Sequence, residues 1–207
     1  MAVDTTGPTE TLLEVADGAD LIEVLALRGW GDGLPLVAPT PTRVEAMLAG
    51  CTGTDPDEVI AVLPPRSGEA TRLSIAVNAV MAGCLPAHLP VLVSAVRALA
   101  HPDLNLRGVN ATTHCVAPLL VVHGDVARSA GYHGGLGAFG PGSRANATTG
   151  RALRLILLHI AGATPGDGDA STQGGPAKYG FCVAENLADI RAQPRLTIAR
   201  GVIRCRR

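Results

Sequence analysis

The chain has 207 residues and a formal net charge of −1, long enough for one domain with a sizeable core. Hydrophobic residues make up 47%, aromatics 2% and charged residues 17%. The core must therefore be built from Ala, Val, Leu and Ile, and a surface this short of charge points to a homo-oligomer. Nucleic acid is excluded as a partner, because phosphate contacts need clustered Lys and Arg and stacking needs aromatics. The single basic block, Arg204-Cys205-Arg206-Arg207, reads as a solvated tip.

Residues 1–17 are polar and acidic with no apolar signal region, and are expected to be loosely ordered. No apolar run reaches the roughly 18–20 residues that span a bilayer, so no membrane is expected as a partner. The cysteines Cys51, Cys84, Cys115, Cys182 and Cys205 are scattered, without a Cys-x-x-Cys pair. Free thiols in a cytoplasmic protein follow. Residues 18–207 read as a single α/β catalytic domain.

In chain order, a helix is expected over Ala19–Arg28, stopped by Gly29. The stretch Trp30-Gly31-Asp32-Gly33-Leu34-Pro35 is a turn. Thr40-Pro41 starts a second helix, with Thr40 as N-cap, running to Ala49. Val59–Leu63 reads as a strand closed by Pro64-Pro65. Glu69–Ala82 and Leu89–Ala100 read as apolar helices joined in a hairpin, with Gly83, Cys84 and Pro86 between them. Leu104–Val109 and Val116–His123 read as strands. A loop of six glycines and one proline, Gly131–Ser143, precedes a helix whose apolar part is Arg151–Ile160. A polar loop spans Gly162–Gly175, Tyr179–Ala184 reads as a strand, and the tail past Gln193 offers one more. Helices without a polar face must be central or at an interface. The expected fold is a layered α/β domain of short strands and buried apolar helices.

The glycine-rich loop carries the first functional expectation. Gly142 permits close backbone approach, Ser143 is a natural N-cap, and the helix start presents free N–H groups and a positive dipole end. Arg144 adds a guanidinium fork and Asn146 both donors and acceptors, making a site for a phosphate or carboxylate. The pattern lacks the Lys-Ser or Lys-Thr of a nucleotide loop. The competing reading is a surface loop with an ordinary N-cap.

Further groups lie elsewhere. In Asn110-Ala111-Thr112-Thr113-His114-Cys115, His114 is a candidate acid or base, and Thr112 and Thr113 candidates to orient a substrate; the bland alternative is a turn satisfying its own backbone. Cys84, near Asn78 and at a helix C-terminus that does not activate it, is a nucleophile, a redox thiol or a core filler. Lys178, on an expected strand with Cys182, either meets the anion that Arg144 holds or is exposed at an edge. Glu185 is a base or a salt-bridge partner of Lys178. The histidines lack helical metal-ligand spacing, and His114, His123 and His133 form the only group expected to converge on a metal.

Several of these motifs together resemble a bacterial family of mostly uncharacterised proteins associated with genomic neighbours that carry a selenocysteine-Gly-Ser-Cys motif. They are Trp30–Pro35, Asn78–Cys84, Thr112-Thr113-His114, Gly140–Ala147, Lys178-Tyr179 and Ala184-Glu185-Asn186. The resemblance spans about Gly29 to Asn186 and implies thiol or selenol redox chemistry nearby. Members of that family extend beyond the equivalent of this C-terminus, so the resemblance leaves any contribution from that end open.

The reading is thus an enzyme without a cofactor that acts on a small anionic substrate by lyase- or transferase-like chemistry or as a thiol-dependent oxidoreductase. Gly142, Ser143, Arg144, Asn146, Lys178, Thr112, Thr113 and Asn78 would bind, and His114, Cys84, Cys182 and Glu185 would react. A metal-dependent hydrolase or oxygenase using His114, His123 and His133, or a non-catalytic subunit docking a partner enzyme, are the alternatives.

Overall fold

A computed structural model describes residues 20–51 and 55–186. Helix α1 (Leu21–Leu27) starts on Asp20, whose carboxylate accepts from Ile22 N at 3.0 Å. It ends before Gly29 (φ 71°). The turn that follows crosses the molecule: Val37 N donates to Met81 O at 3.0 Å. Helix α2 (Pro41–Leu48) begins with Pro at its first position after Thr40, as the sequence predicts.

Strands β1 (Val59–Leu63) and β2 (Gly68–Thr71) form an antiparallel hairpin. Glu69 to Thr71 thus belong to a strand rather than to the expected helix. Thr71 accounts for the shift, because its hydroxyl accepts from Ser74 N and starts α3 (Arg72–Ala82) there. Gly83 (φ 86°) closes α3 in the left-handed region. After a 3-10 turn at Pro86–His88, helix α4 (Leu89–Leu99) folds back beside α3, completing the expected helical hairpin.

The expected strand over Leu104–Val109 is helical instead. A 3-10 turn at Pro102–Leu104 leads into α5 (Leu106–Ala111). Asn105 decides this: it takes φ 50° and its side chain accepts from Gly108 N, the work of an N-cap. Of the long apolar run Val116–His123, only β3 (Leu120–Val122) pairs. Pro118 has no N–H to offer a ladder. A short helix, α6 (Asp125–Ser129), follows it. Helix α7 (Arg144–His159) starts on Ser143. Strands β4 (Thr164–Pro165) and β5 (Gly168–Asp169) pair with each other. Then β6 (Cys182–Ala184) lies parallel to β3.

The fold is mixed α/β, and among the described residues the strands form three two-stranded sheets rather than one continuous layer. The core is helical. α3 is buried from Ser74 to Ala82 and packs on α2, α4 and α7. An all-round apolar helix is thereby satisfied within one chain. Ala76, Ala79 and Ala82 of α3 and Ala152, Leu155 and Ile156 of α7 belong to one buried core cluster. A second apolar cluster, including Val91, Val122, Ala127, Tyr132 and Ala184, seats the β3–β6 pair. Among the described residues no helix is long and apolar enough to cross a membrane. Residues 1–17 and the tail beyond Gln193 lie outside the described residues.

Candidate functional site

The glycine-rich loop is held by side chains from α7. Asn146 is 4% exposed. Its Oδ1 accepts from His133 N (3.0 Å) and Ser143 Oγ (3.0 Å), and its Nδ2 donates to His133 O (2.8 Å) and Ala138 O (3.1 Å). The amide is saturated by the loop itself. Ser143 Oγ also accepts from Asn146 N at 3.2 Å, which makes it the N-cap. Arg144 reaches back to α3: its Nε and a terminal nitrogen both donate to Gly83 O, at 3.0 and 2.8 Å. Ser143 and Asn146 therefore make their main contacts within the loop and its helix start, and Arg144 makes its contacts with the end of α3. Gly142 (φ 124°) is exposed just ahead of them.

The loop in turn covers the carboxyl end of the parallel pair. Ala184 N donates to His133 O at 3.0 Å. A Cβ at Gly134 would stand 2.4 Å from Ala184 O, so only glycine fits this crossing. The residues leaving the two strands meet here. His123, directly after β3, and Glu185, directly after β6, lie with Nδ1 and Oε2 2.6 Å apart. Their side chains are 42% and 29% exposed. A glutamate carboxylate only accepts, so Nδ1 is the donor in this contact. Glu185 thus has a partner, but it is His123 and not Lys178. The signal for this pair was positional: in parallel α/β arrangements, ligand sites gather beyond the carboxyl ends of the strands.

The other sequence candidates are dispersed. His114 and Thr113 are exposed, and Thr112 is half-buried with its Oγ1 accepting from His114 N at 3.3 Å. This segment ties to the loop near Ser171, where Thr172 N donates to Thr113 O. Asn78 is fully buried: its Nδ2 donates to Ser74 O at 2.8 Å, and its Oδ1 accepts from His159 Nδ1 at 2.6 Å. Lys178 sits in a 3-10 turn (Pro176–Lys178), not on a strand, and its Nζ meets Asp169 at 2.8 and 3.0 Å.

Both candidate cysteines are buried. Burial pushes Cys84 up to about 11, although the hydroxyls of Thr148 and Thr149 and the charge of Arg144 pull it down. Burial, with the nearby Cys84, pushes Cys182 up to about 12. Burial thus disfavours the thiolate, the reactive form, at both positions. Among the described residues no group of three or more His, Cys, Asp or Glu side chains could hold a metal ion. His114, His123 and His133 do not converge, and His133 instead places Nε2 2.9 Å from Leu136 O.

Compared with known protein families, with curated proteins and with solved structures, the chain matches none.

Proposed function

We propose that the protein is a cytoplasmic enzyme performing acid–base chemistry on a small anionic molecule, with His123 and Glu185 as its proton-transfer pair. The observation that carries this is the 2.6 Å contact between His123 Nδ1 and Glu185 Oε2 at the carboxyl end of β3 and β6. A carboxylate behind an imidazole fixes its tautomer and stabilises the imidazolium once Nε2 has taken a proton. The proton would come from a carbon or hydroxyl beside the substrate's carboxylate or phosphate, and Nε2 would return it to the leaving group, which is lyase-like chemistry. The 16-residue α7 starts at the loop that covers this end, where its Asn146 bonds the same His133 main chain that bonds β6.

The test surveys substrate classes. Wild-type protein is incubated in deuterium oxide with a panel of small carboxylates and phosphate esters, and exchange of C–H protons is followed by NMR. Exchange is expected with at least one class. His123→Gln should lower it by roughly 100-fold or more, with Glu185→Gln in between. Identical rates in wild type and His123→Gln would remove the pair from the reaction.

A homo-oligomer belongs to the same reading. Leu136 is fully exposed at the tip of the glycine-rich loop, and Phe139 is 65% exposed beside Phe181, at 5.3 Å between ring centres. Tyr179 is also exposed. Apolar tips of this kind are covered in assemblies. Light scattering on the eluted protein would read its mass, and a monomer at all concentrations would refute the assembly.

A further inference from the structure

The main chain around Glu185 is bonded to two different segments. Glu185 N donates to Val122 O at 3.0 Å, which ties it to the residue just before His123. One residue back, Ala184 N donates to His133 O at 3.0 Å, which ties the end of β6 to the glycine-rich loop. The 2.6 Å contact between Glu185 Oε2 and His123 Nδ1 is made from this doubly fixed stretch.

The loop is the firmer side of the crossing. Asn146, buried in the first turn of α7, holds both the N–H and the carbonyl of His133, at 3.0 and 2.8 Å. Tyr132, the residue before, is also buried, and its hydroxyl lies 2.8 Å from Thr149 Oγ1 of the same helix. Against this, β6 has three residues and, among the described residues, one partner strand. Gly134 follows His133 at the tightest point. A Cβ there would lie 2.4 Å from Ala184 O, 3.0 Å from Ala184 C and 3.1 Å from Glu185 C. The shortest of these must open to at least 3.0 Å, and the less fastened side, Ala184 and Glu185, is the one that gives. The carboxylate contact starts at 2.6 Å. Good N–H···O bonds end near about 3.2 Å, so a shift of the same size takes this contact to its limit.

We infer that Gly134 and Asn146 are positioning residues for the His123–Glu185 pair. Asn146 fastens His133 to α7, and the bare backbone of Gly134 lets β6 close on it. Together they set the register in which Glu185 meets His123. This inference deepens the acid–base reading and rests on it.

The test reads the pair in two ways on the full chain. The first is the nitrogen NMR of the His123 ring at about pH 8, assigned with His123→Gln. The hydrogen bond at one ring nitrogen sets which nitrogen carries the proton, so wild type should show a protonated Nδ1. Gly134→Ala and Asn146→Ala should both shift this signal toward that of a free, exposed imidazole. Gly137→Ala is the control: its φ of 73° strains the loop tip, but a Cβ there meets nothing within 4 Å. It should keep the wild-type signal. The second readout is deuterium exchange into the substrate class that wild type turns over. Gly134→Ala should slow it roughly tenfold or more, yet Gly134→Ala in a Glu185→Gln background should slow it no further. Residues that act through one group are non-additive in this way, whereas a general loss of structure adds.

A wild-type Nδ1 signal in Gly134→Ala overturns the inference, as does additivity with Glu185→Gln. If Gly134→Ala does not fold, Asn146→Ala decides by the same signal. A shifted signal with equal exchange in wild type and His123→Gln would instead remove the acid–base reading and leave the geometry of the pair standing.

Discussion

Replacing Asn146 with alanine separates two roles that one buried amide can have. If Asn146 displays its amide to a ligand, its loss weakens binding and leaves the fold alone. The geometry assigns it the opposite role, because all four of its contacts, at 2.8 to 3.1 Å, go to His133, Ala138 and Ser143. Each such bond contributes about 1 kcal/mol net, and the stranded His133 N–H and Ala138 carbonyl add to the loss. His133 O keeps its second partner, Ala184 N, and the outer loop can recover water, which limits the total to about 3 kcal/mol. For a chain of this size that is a fall in Tm of about 6–12 °C. Urea unfolding of wild type and Asn146→Ala, with midpoint and slope measured separately, gives the number. Hydrogen exchange should show faster exchange in the loop Gly131–Ser143 first. Asn146→Asp should fare no better, because a carboxylate cannot donate to His133 O and Ala138 O. A loss below about 0.5 kcal/mol in Asn146→Ala, the range of an ordinary surface change, would refute the clamp.

Further outcomes follow from other contacts. Arg151 forks onto Asp32 at 2.7 and 2.8 Å, with Asp32 only 4% exposed. Arg151→Met leaves that carboxylate buried and unpaired and should cost about 3 kcal/mol or more in urea unfolding. Arg144→Ala strips the guanidinium from the α3 terminal carbonyl and should cost about 1 kcal/mol, since the site is open to water. Stability should also fall in two stages on acidification. Burial lowers His159 from 6.5 to about 4, so the unfolded chain binds the extra proton between these values. Stability is then complete above pH 6.5 and falls by at most about 3 kcal/mol down to pH 4. His159→Gln should flatten this stage. For Asp169 and Asp32 burial raises the carboxyl, but Lys178 and Arg151 outweigh it, so both lie below their usual value. Their contribution is present above about pH 4 and lost as pH falls further. A flat profile from pH 7 to 4 would refute the His159 account.

Much of the fold was legible because its signals are local. Thr40-Pro41, Ser143 and Gly83 act within one helical turn of themselves, and each ends or begins a helix where the sequence places it. The apolar runs of α3, α4 and α7 needed only burial, and the mixed α/β class followed. The misreadings over 69–71 and 104–109 are also local. Thr71 and Asn105 are caps whose signal was outweighed by the surrounding residues.

What the polar side chains do was not legible, and the reason is physical. An Asn, Arg or Lys offers the same donors to a ligand as to a carbonyl of its own chain. Which of these it meets depends on segments far along the sequence. Arg144 meets Gly83, 61 residues away, and His123 meets Glu185, 62 residues away. The glycine-rich loop was visible in the sequence by itself. Only the tertiary structure decided that Asn146 fastens it, that it lies across the ends of two parallel strands, and that the histidine paired with a carboxylate beside it is His123 rather than His114.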